Sequence, residues 1–298
     1  MKVGGFGVRL LALYCKISNK KRKKKHPPYG EYDMKLDVPY IQDGSFDHRY
    51  DVFYAKENRK NCLIIDVHGG AYMFSTRKDN YHFATVFLKE GFDVICLDYT
   101  PNNGKKDTKD LLDDIVLALN HIIAHLEELG LVNESIVLTG DSAGGHFALL
   151  LAEAIENKDV AKQLGYEFPD VPLKAVMINC PVYDFGNVTK NMKAGANRRM
   201  FGPRWRINEP FVLISPRTYL EKLRMPLFLS TCTNDFLRSQ SMLLVEDMKG
   251  KTTPFTFLDI ESDKPEVGHV HNVIEPELEE SRKVNKAMIN FVLEALEE

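Results

Sequence analysis

Gly140-Asp141-Ser142-Ala143-Gly144 fits the pattern G-x-S-x-G. The apolar run Ile136-Val137-Leu138 precedes it, and a helical pattern starts at Ala143. A serine on a sharp strand-to-helix turn is exposed above a sheet, and small flanking residues let the chain segments pass closely. A chance Gly-Ser-Gly loop would lack that strand and helix. The chemistry implied at Ser142 is nucleophilic attack. A second segment, His68-Gly69-Gly70-Ala71-Tyr72, follows the apolar run Cys62 to Val67. Its glycines allow the backbone N–H groups of Gly69 and Gly70 to join that of Ala143 around a developing oxyanion. Preorganised donors of this kind each contribute about 3–4 kcal/mol to the transition state. His68 reads as a residue that shapes this loop. The alternative is an ordinary turn, which also favours glycine.

A serine hydroxyl needs a base. A serine on such an elbow takes its partners in the chain order Ser, acid, His. Asp235 stands just after the apolar run Leu227 to Thr231, at the strand end where ligand-facing groups gather. Its competing role is to cap the helix that starts near Ser239. Asp263 and Glu266 are fallback acids. Beyond the helix carrying His146, the remaining histidines are His269 and His271. They are two residues apart on a loop between a strand-like run, Pro254 to Ile260, and the last helix, and spacing does not choose between them. His68, Tyr72, Asp141 and His271 are candidates to line a pocket.

These groups need a scaffold. Lys35 to Ile41 and Arg49 to Tyr54 alternate as half-buried strands do. Five nearly all-apolar runs follow: Cys62 to Val67, Asp93 to Leu97, Ser135 to Thr139, Ala175 to Asn179 and Leu227 to Thr231. Such runs suit strands covered on both faces. Helical patterns separate them at Tyr81 to Lys89, Leu111 to Leu129, Ala143 to Glu156, Ser239 to Met248 and Pro276 to Leu296. The order predicts an α/β fold with a mostly parallel central sheet covered by helices on both faces. Residues 183–223 interrupt the rhythm and are too long for a simple connection. They read as a cap insertion in a domain spanning residues 35–298, with residues 1–34 as a separate N-terminal segment.

The motifs in this order resemble those of the hormone-sensitive-lipase-like esterases, the bacterial family IV of the α/β-hydrolase superfamily. The resemblance covers the chain from about Val38 onward. Asp98-Tyr99 and Ser215-Pro216 also match it. The family commonly reads His-x-Phe at its catalytic base, which implies His269 as the base and leaves His271 in the place of the Phe. The resemblance further implies an acyl-enzyme on Ser142, with Asp235 orienting His269 and no metal or organic cofactor. It also implies a cap built from the N-terminal segment and the insertion.

Bulk properties limit the alternatives. The 298 residues carry a formal net charge of −3, which shows no overall bias toward nucleic acid. Nine basic residues and no acid fall in residues 1–26, so the remainder carries −12. The run Lys20 to Lys25 follows a short apolar stretch, Val8 to Ile17. This is too short to span a bilayer and in the wrong order for a signal peptide. It reads as a solvated or packed tail in preference to a membrane-surface anchor. The glycine cluster at Gly4, Gly5 and Gly7 has no preceding strand, so it does not read as a dinucleotide site. Cys15, Cys62, Cys96, Cys180 and Cys232 are odd in number and mostly in apolar runs, which favours buried free thiols and a cytoplasmic protein. His121 and His125 share a helix face, but Ile122 stands where a metalloprotease needs Glu.

The expected function is hydrolysis of small-molecule carboxylic esters, with short acyl or acetyl groups. A peptidase of the same fold and a non-catalytic hydrolase-like binding protein are the alternatives. Arg198, Arg199, Arg204, Trp205 and Arg206 fit either recognition of acetylated sugars or acidic esters, or a solvated lid. Oligomeric state has no signal in the sequence.

Overall fold

The computed structural model describes residues 31–102, 104–131, 135–190, 194–203 and 213–297. The N-terminal basic run, the glycine cluster, Cys15 and the Arg204-Trp205-Arg206 cluster lie outside them. Eight strands form one sheet in the order β1-β2-β4-β3-β5-β6-β7-β8. Their ranges are β1 Asp33–Pro39, β2 Arg49–Tyr54, β3 Cys62–Val67, β4 Asp93–Leu97, β5 Ser135–Asp141, β6 Leu173–Asn179, β7 Leu227–Cys232 and β8 Phe255–Ile260. β2 pairs antiparallel with β1 and β4, and every pairing from β4 through β8 is parallel. The sheet therefore starts two residues before the expected boundary at residue 35.

The all-apolar runs are buried because both faces of the sheet are covered. Leu63, Ile65 and Val67 of β3 pack in one core with helices α2 (Thr108–Ala124), α3 (Ala143–Glu156) and α7 (Arg238–Met248). Cys62 and Ile64, on the opposite face, pack with α1 (Tyr81–Leu88) and α9 (Glu279–Glu297). This is the period-2 division that a strand imposes. On α9, Val284, Met288, Phe291, Val292 and Ala295 form the buried stripe. α2 starts where Asp107 and Asp110 form a reciprocal cap. It ends at Ala124, five residues short of the expected Leu129.

Between β6 and β7 the chain forms α5 (Phe185–Lys190), α6 (Ala194–Phe201) and two short 3-10 turns, Pro216–Thr218 and Leu220–Lys222. Phe185 and Phe201 pack edge-on against Tyr72, with ring centroids 5.8 and 5.5 Å away. Asn102 donates to the Met200 carbonyl at 3.0 Å. The insertion is thus seated on the loop after β3. The remaining described helices are α4 (Lys158–Leu164) and the single turn α8 (His271–Ile274).

Candidate active site

Parallel strands deliver their C-terminal ends to one edge of the sheet, and the chemically suited residues collect there. Ser142 sits between β5 and α3 at φ 54°, ψ −114°. A non-glycine residue in such a conformation is held against roughly 1–3 kcal/mol of strain. The hold is visible: its N–H donates to the Asn179 carbonyl at 2.8 Å, and its carbonyl accepts from His146 at 3.1 Å. The glycines around it are required by close passage. A Cβ on Gly144 would fall 1.9 Å from the Val67 carbonyl oxygen, and one on Gly140 would fall 2.5 Å from the Gly144 backbone.

The Ser142 Oγ lies 2.9 Å from His269 Nε2, and His269 Nδ1 lies 2.6 Å from Asp235 Oδ1. A carboxylate only accepts, so Nδ1 carries the proton and Nε2 is free to accept from the serine. Burial alone would raise the Asp235 pKa. Hydrogen bonds from His269, the Leu237 N–H and Thr231 outweigh it and hold the carboxyl below its ordinary value. Asp235 does not cap α7 directly, since the residue before that helix is Leu237.

The loop bearing His269 is pinned to the loop bearing Asp235. A parallel bridge joins Asn234 to Gly268. The Cys232 thiol donates to the Gly268 carbonyl at 3.2 Å, and the Val270 N–H donates to Cys180 Sγ at 3.3 Å. Potential ligand atoms of Cys180, Asp235 and His269 lie within 4.8 Å of one another. Hydrogen bonding of the His-bearing loop accounts for that grouping.

Several pocket expectations are corrected. His271 is buried and pairs with Ser281 Oγ at 2.9 Å, so it is part of the α8–α9 packing. Burial pushes its imidazole down to about 4. Val270 at φ 52° reverses the chain between the two histidines and sends them to different places. Tyr72 is also buried, with its hydroxyl 3.1 Å from His146 Nδ1, and it anchors the insertion. His68 stacks on Tyr99 at 4.5 Å and lies 3.3 Å from Asp98. Buried between these partners, it does not line an open pocket. Asp263 and Glu266 are exposed.

Asp141 faces the loop after β3. Its Oδ1 accepts the Gly69 N–H at 2.9 Å and the Asn80 side-chain amide at 3.0 Å. The Gly69 N–H is therefore spoken for, which corrects its place among the oxyanion donors. Gly70, Ala71 and Tyr72 follow with φ of 119°, 51° and 65°. No acceptor among the described residues takes the Gly70 or Ala71 N–H. Ala143 opens α3, where an N–H has no partner within its own helix.

Three residues around the site had no sequence signal. Asn80 bridges Asp141 and the buried Asp66, at 3.0 and 2.9 Å. Arg77 is buried among Asp37, Asp51 and Asp98. Phe236 leans its ring on His269, with centroids 4.2 Å apart. His121 and His125 stack at 4.1 Å, and His121 Nδ1 also meets the Tyr50 hydroxyl.

Comparison with known proteins bears on the fold and the family. The chain is 26% identical over 218 residues to the probable carboxylic ester hydrolase LipM of Mycobacterium tuberculosis. The alignment covers 70% of this chain and 50% of LipM, so the chain spans about half the length of that curated relative. Esterase B from Lactobacillus rhamnosis superposes with a TM-score of 0.84 at 20% identity, covering 97% of this chain and 95% of the other. An esterase of Pyrobaculum calidifontis superposes at 0.67 with 18% identity, covering 95% and 92%. These likenesses establish the α/β-hydrolase fold. Residues 50–248 match the BD-FAE family, and the chain belongs to that family of α/β hydrolases.

Proposed function

We propose that this protein hydrolyses carboxylic esters of small molecules through an acyl-enzyme on Ser142. The hydrogen-bonded series Ser142–His269–Asp235 carries this reading. LipM's description as a probable carboxylic ester hydrolase supports it.

In this reading His269 Nε2 takes the Ser142 proton as Oγ attacks the ester carbonyl carbon. The carbonyl electron pair moves onto oxygen. The N–H groups of Gly70 and Ala143 face that charge, with Ala71 as the third donor in place of Gly69. When the carbonyl re-forms, the C–O bond to the alcohol breaks and His269 passes its proton to the leaving oxygen. Water then gives a proton to Nε2 and attacks the acyl carbon. The ester bond to Ser142 breaks, the serine regains its proton and the carboxylic acid departs. Asp235 keeps His269 in the productive tautomer and offsets its transient charge.

Residues 183–223 act as a cap over the loop after β3 in a hydrolase domain that begins with β1 at Asp33. The substrate is a small ester, and short acyl chains fit the reading best. The free, buried thiols of Cys62, Cys96, Cys180 and Cys232 support a reducing, cytoplasmic setting. No helix among the described residues is long and apolar enough to cross a membrane.

A mechanism-based p-nitrophenyl phosphonate tests the nucleophile directly. Mass spectrometry should place one phosphonyl group on the peptide containing Ser142, released nitrophenol should match it one to one, and His269→Ala should slow labelling by orders of magnitude. Labelling elsewhere, or none, would contradict the reading.

A further inference from the structure

Phe236 directly follows the acid of the triad. Its side chain is 67% exposed, yet its ring lies 4.2 Å from the His269 imidazole, tilted by 41°. A single exposed apolar residue needs no explanation by itself. This one stands against the imidazole that is hydrogen-bonded to Ser142 and Asp235.

We propose that Phe236 forms the wall of an alcohol-side subsite, and that the preferred substrates are esters whose alcohol portion carries an apolar ring. The inference rests on the ester-hydrolase reading above. The chemistry of the leaving group gives the direction. The alcohol oxygen must come within hydrogen-bond reach of His269 Nε2, about 3 Å, to collect its proton. The alcohol carbon attached to that oxygen is then held next to the imidazole. The acyl carbon is bonded to Ser142 Oγ, so the acyl chain and the alcohol group leave it in different directions. A group extending from the alcohol carbon therefore leaves past the His269 imidazole, beside the Phe236 ring packed on it. Aromatic rings meet at 4.5–7 Å between centroids, edge to face or offset. Phe236 is fixed on one side by His269 and leaves its other side open to such a partner. Its backbone is held by the turn in which the Leu237 N–H bonds Asp235 Oδ1 at 2.9 Å and the Arg238 N–H bonds the Asp235 carbonyl at 3.1 Å. The wall is therefore placed by the same turn that places the acid.

Methyl acetate and benzyl acetate share an acyl group and have leaving alcohols of similar basicity, so their rates separate recognition from chemistry. The wild type should favour the benzyl ester in kcat/KM by about tenfold. Phe236→Ala should lower that preference by about fivefold, through KM on the benzyl ester. Phe236→Trp should restore it, and Phe46→Ala, at a ring 70% exposed elsewhere on the surface, should leave it intact. Equal losses on both esters, or a loss carried by kcat with a displaced pH profile, would overturn the subsite and make Phe236 a shield for the His269–Asp235 pair. A wild type that hydrolyses both esters without preferring the ring would overturn the subsite alone. A wild type that hydrolyses neither would overturn the ester-hydrolase reading, and this inference with it.

Discussion

Asp141 Oδ1 accepts the N–H of Gly69 at 2.9 Å, tying the residue before the nucleophile to the loop after β3. The bond fixes where the next N–H groups of that loop point. Asp141→Ala would leave a buried N–H without a partner, at a cost of about 1–3 kcal/mol. It would also free the loop. We expect kcat on p-nitrophenyl acetate to fall by about 10- to 100-fold with KM changed much less, and the melting temperature to drop. A pure KM effect would place Asp141 in substrate binding instead.

Behind that contact, Asp66 shares the Asn80 amide with Asp141 and has a second oxygen buried without a partner. Burial, together with the nearby Asp141 charge, pushes the Asp66 carboxyl up to about 8. The folded protein therefore holds a proton on Asp66 that the unfolded chain releases near pH 4. Stability from this group is full below about pH 4 and is lost as pH rises toward 8. Asp66→Asn, which mimics the protonated acid, should raise the melting temperature more at pH 8 than at pH 5. Differential scanning calorimetry at the two pH values checks this, and an equal shift at both would contradict it.

His271 titrates in the opposite sense. Burial holds its imidazole down at about 4, and His146 likewise at about 4. Both stay neutral in the fold while the unfolded chain takes up protons below about pH 6.5. Stability should therefore fall as pH drops from 6.5 to 4, by roughly 3 kcal/mol for each group at the lower end. His271→Asn should flatten this acid slope in thermal melts across that range. The same variant should keep most of its esterase activity, whereas His269→Ala should lose about a thousandfold or more. Loss of activity in both would return His271 to the site.

The two histidines show where sequence stops being informative. Spacing left them equivalent, and residues two apart on a regular strand would face the same way. Val270 at φ 52° breaks that equivalence, and no β-branched residue announces a left-handed backbone. By contrast β2, β3 and β4 could be read to the residue, because burial on one or both faces writes itself into composition. Helix α4 was not anticipated although its signals were present. Asn157 caps it by accepting the Asp159 and Val160 N–H groups, and Gly165 closes it at φ 79°. At seven residues it is too short for periodicity to register. α2 ran long in expectation because His125, Leu126 and Leu129 continue its apolar pattern, yet the chain turns after Ala124 and reaches Gly130 at φ 72°.

Within the site, Ser142 and Asp235 were named from residue types at strand ends, His269 was chosen over His271 only through the family resemblance, and the structure hydrogen-bonds the three in series. The loss of Gly69 as a donor was not legible, since it depends on where the Asp141 carboxylate points. Asp66, Asn80, Arg77 and Phe236 were likewise silent. Each acts through a neighbour distant in sequence or across a turn, and none belongs to a pattern of types.

The central claim is that Ser142 is the nucleophile of an ester hydrolase. Steady-state hydrolysis of p-nitrophenyl acetate by the wild type and Ser142→Ala, with matched thermal melts to confirm folding, tests it most directly. The account predicts clear turnover by the wild type and a loss of about 10⁴-fold or more in kcat/KM for the folded variant. Hydrolysis persisting in Ser142→Ala at near wild-type rates would contradict it.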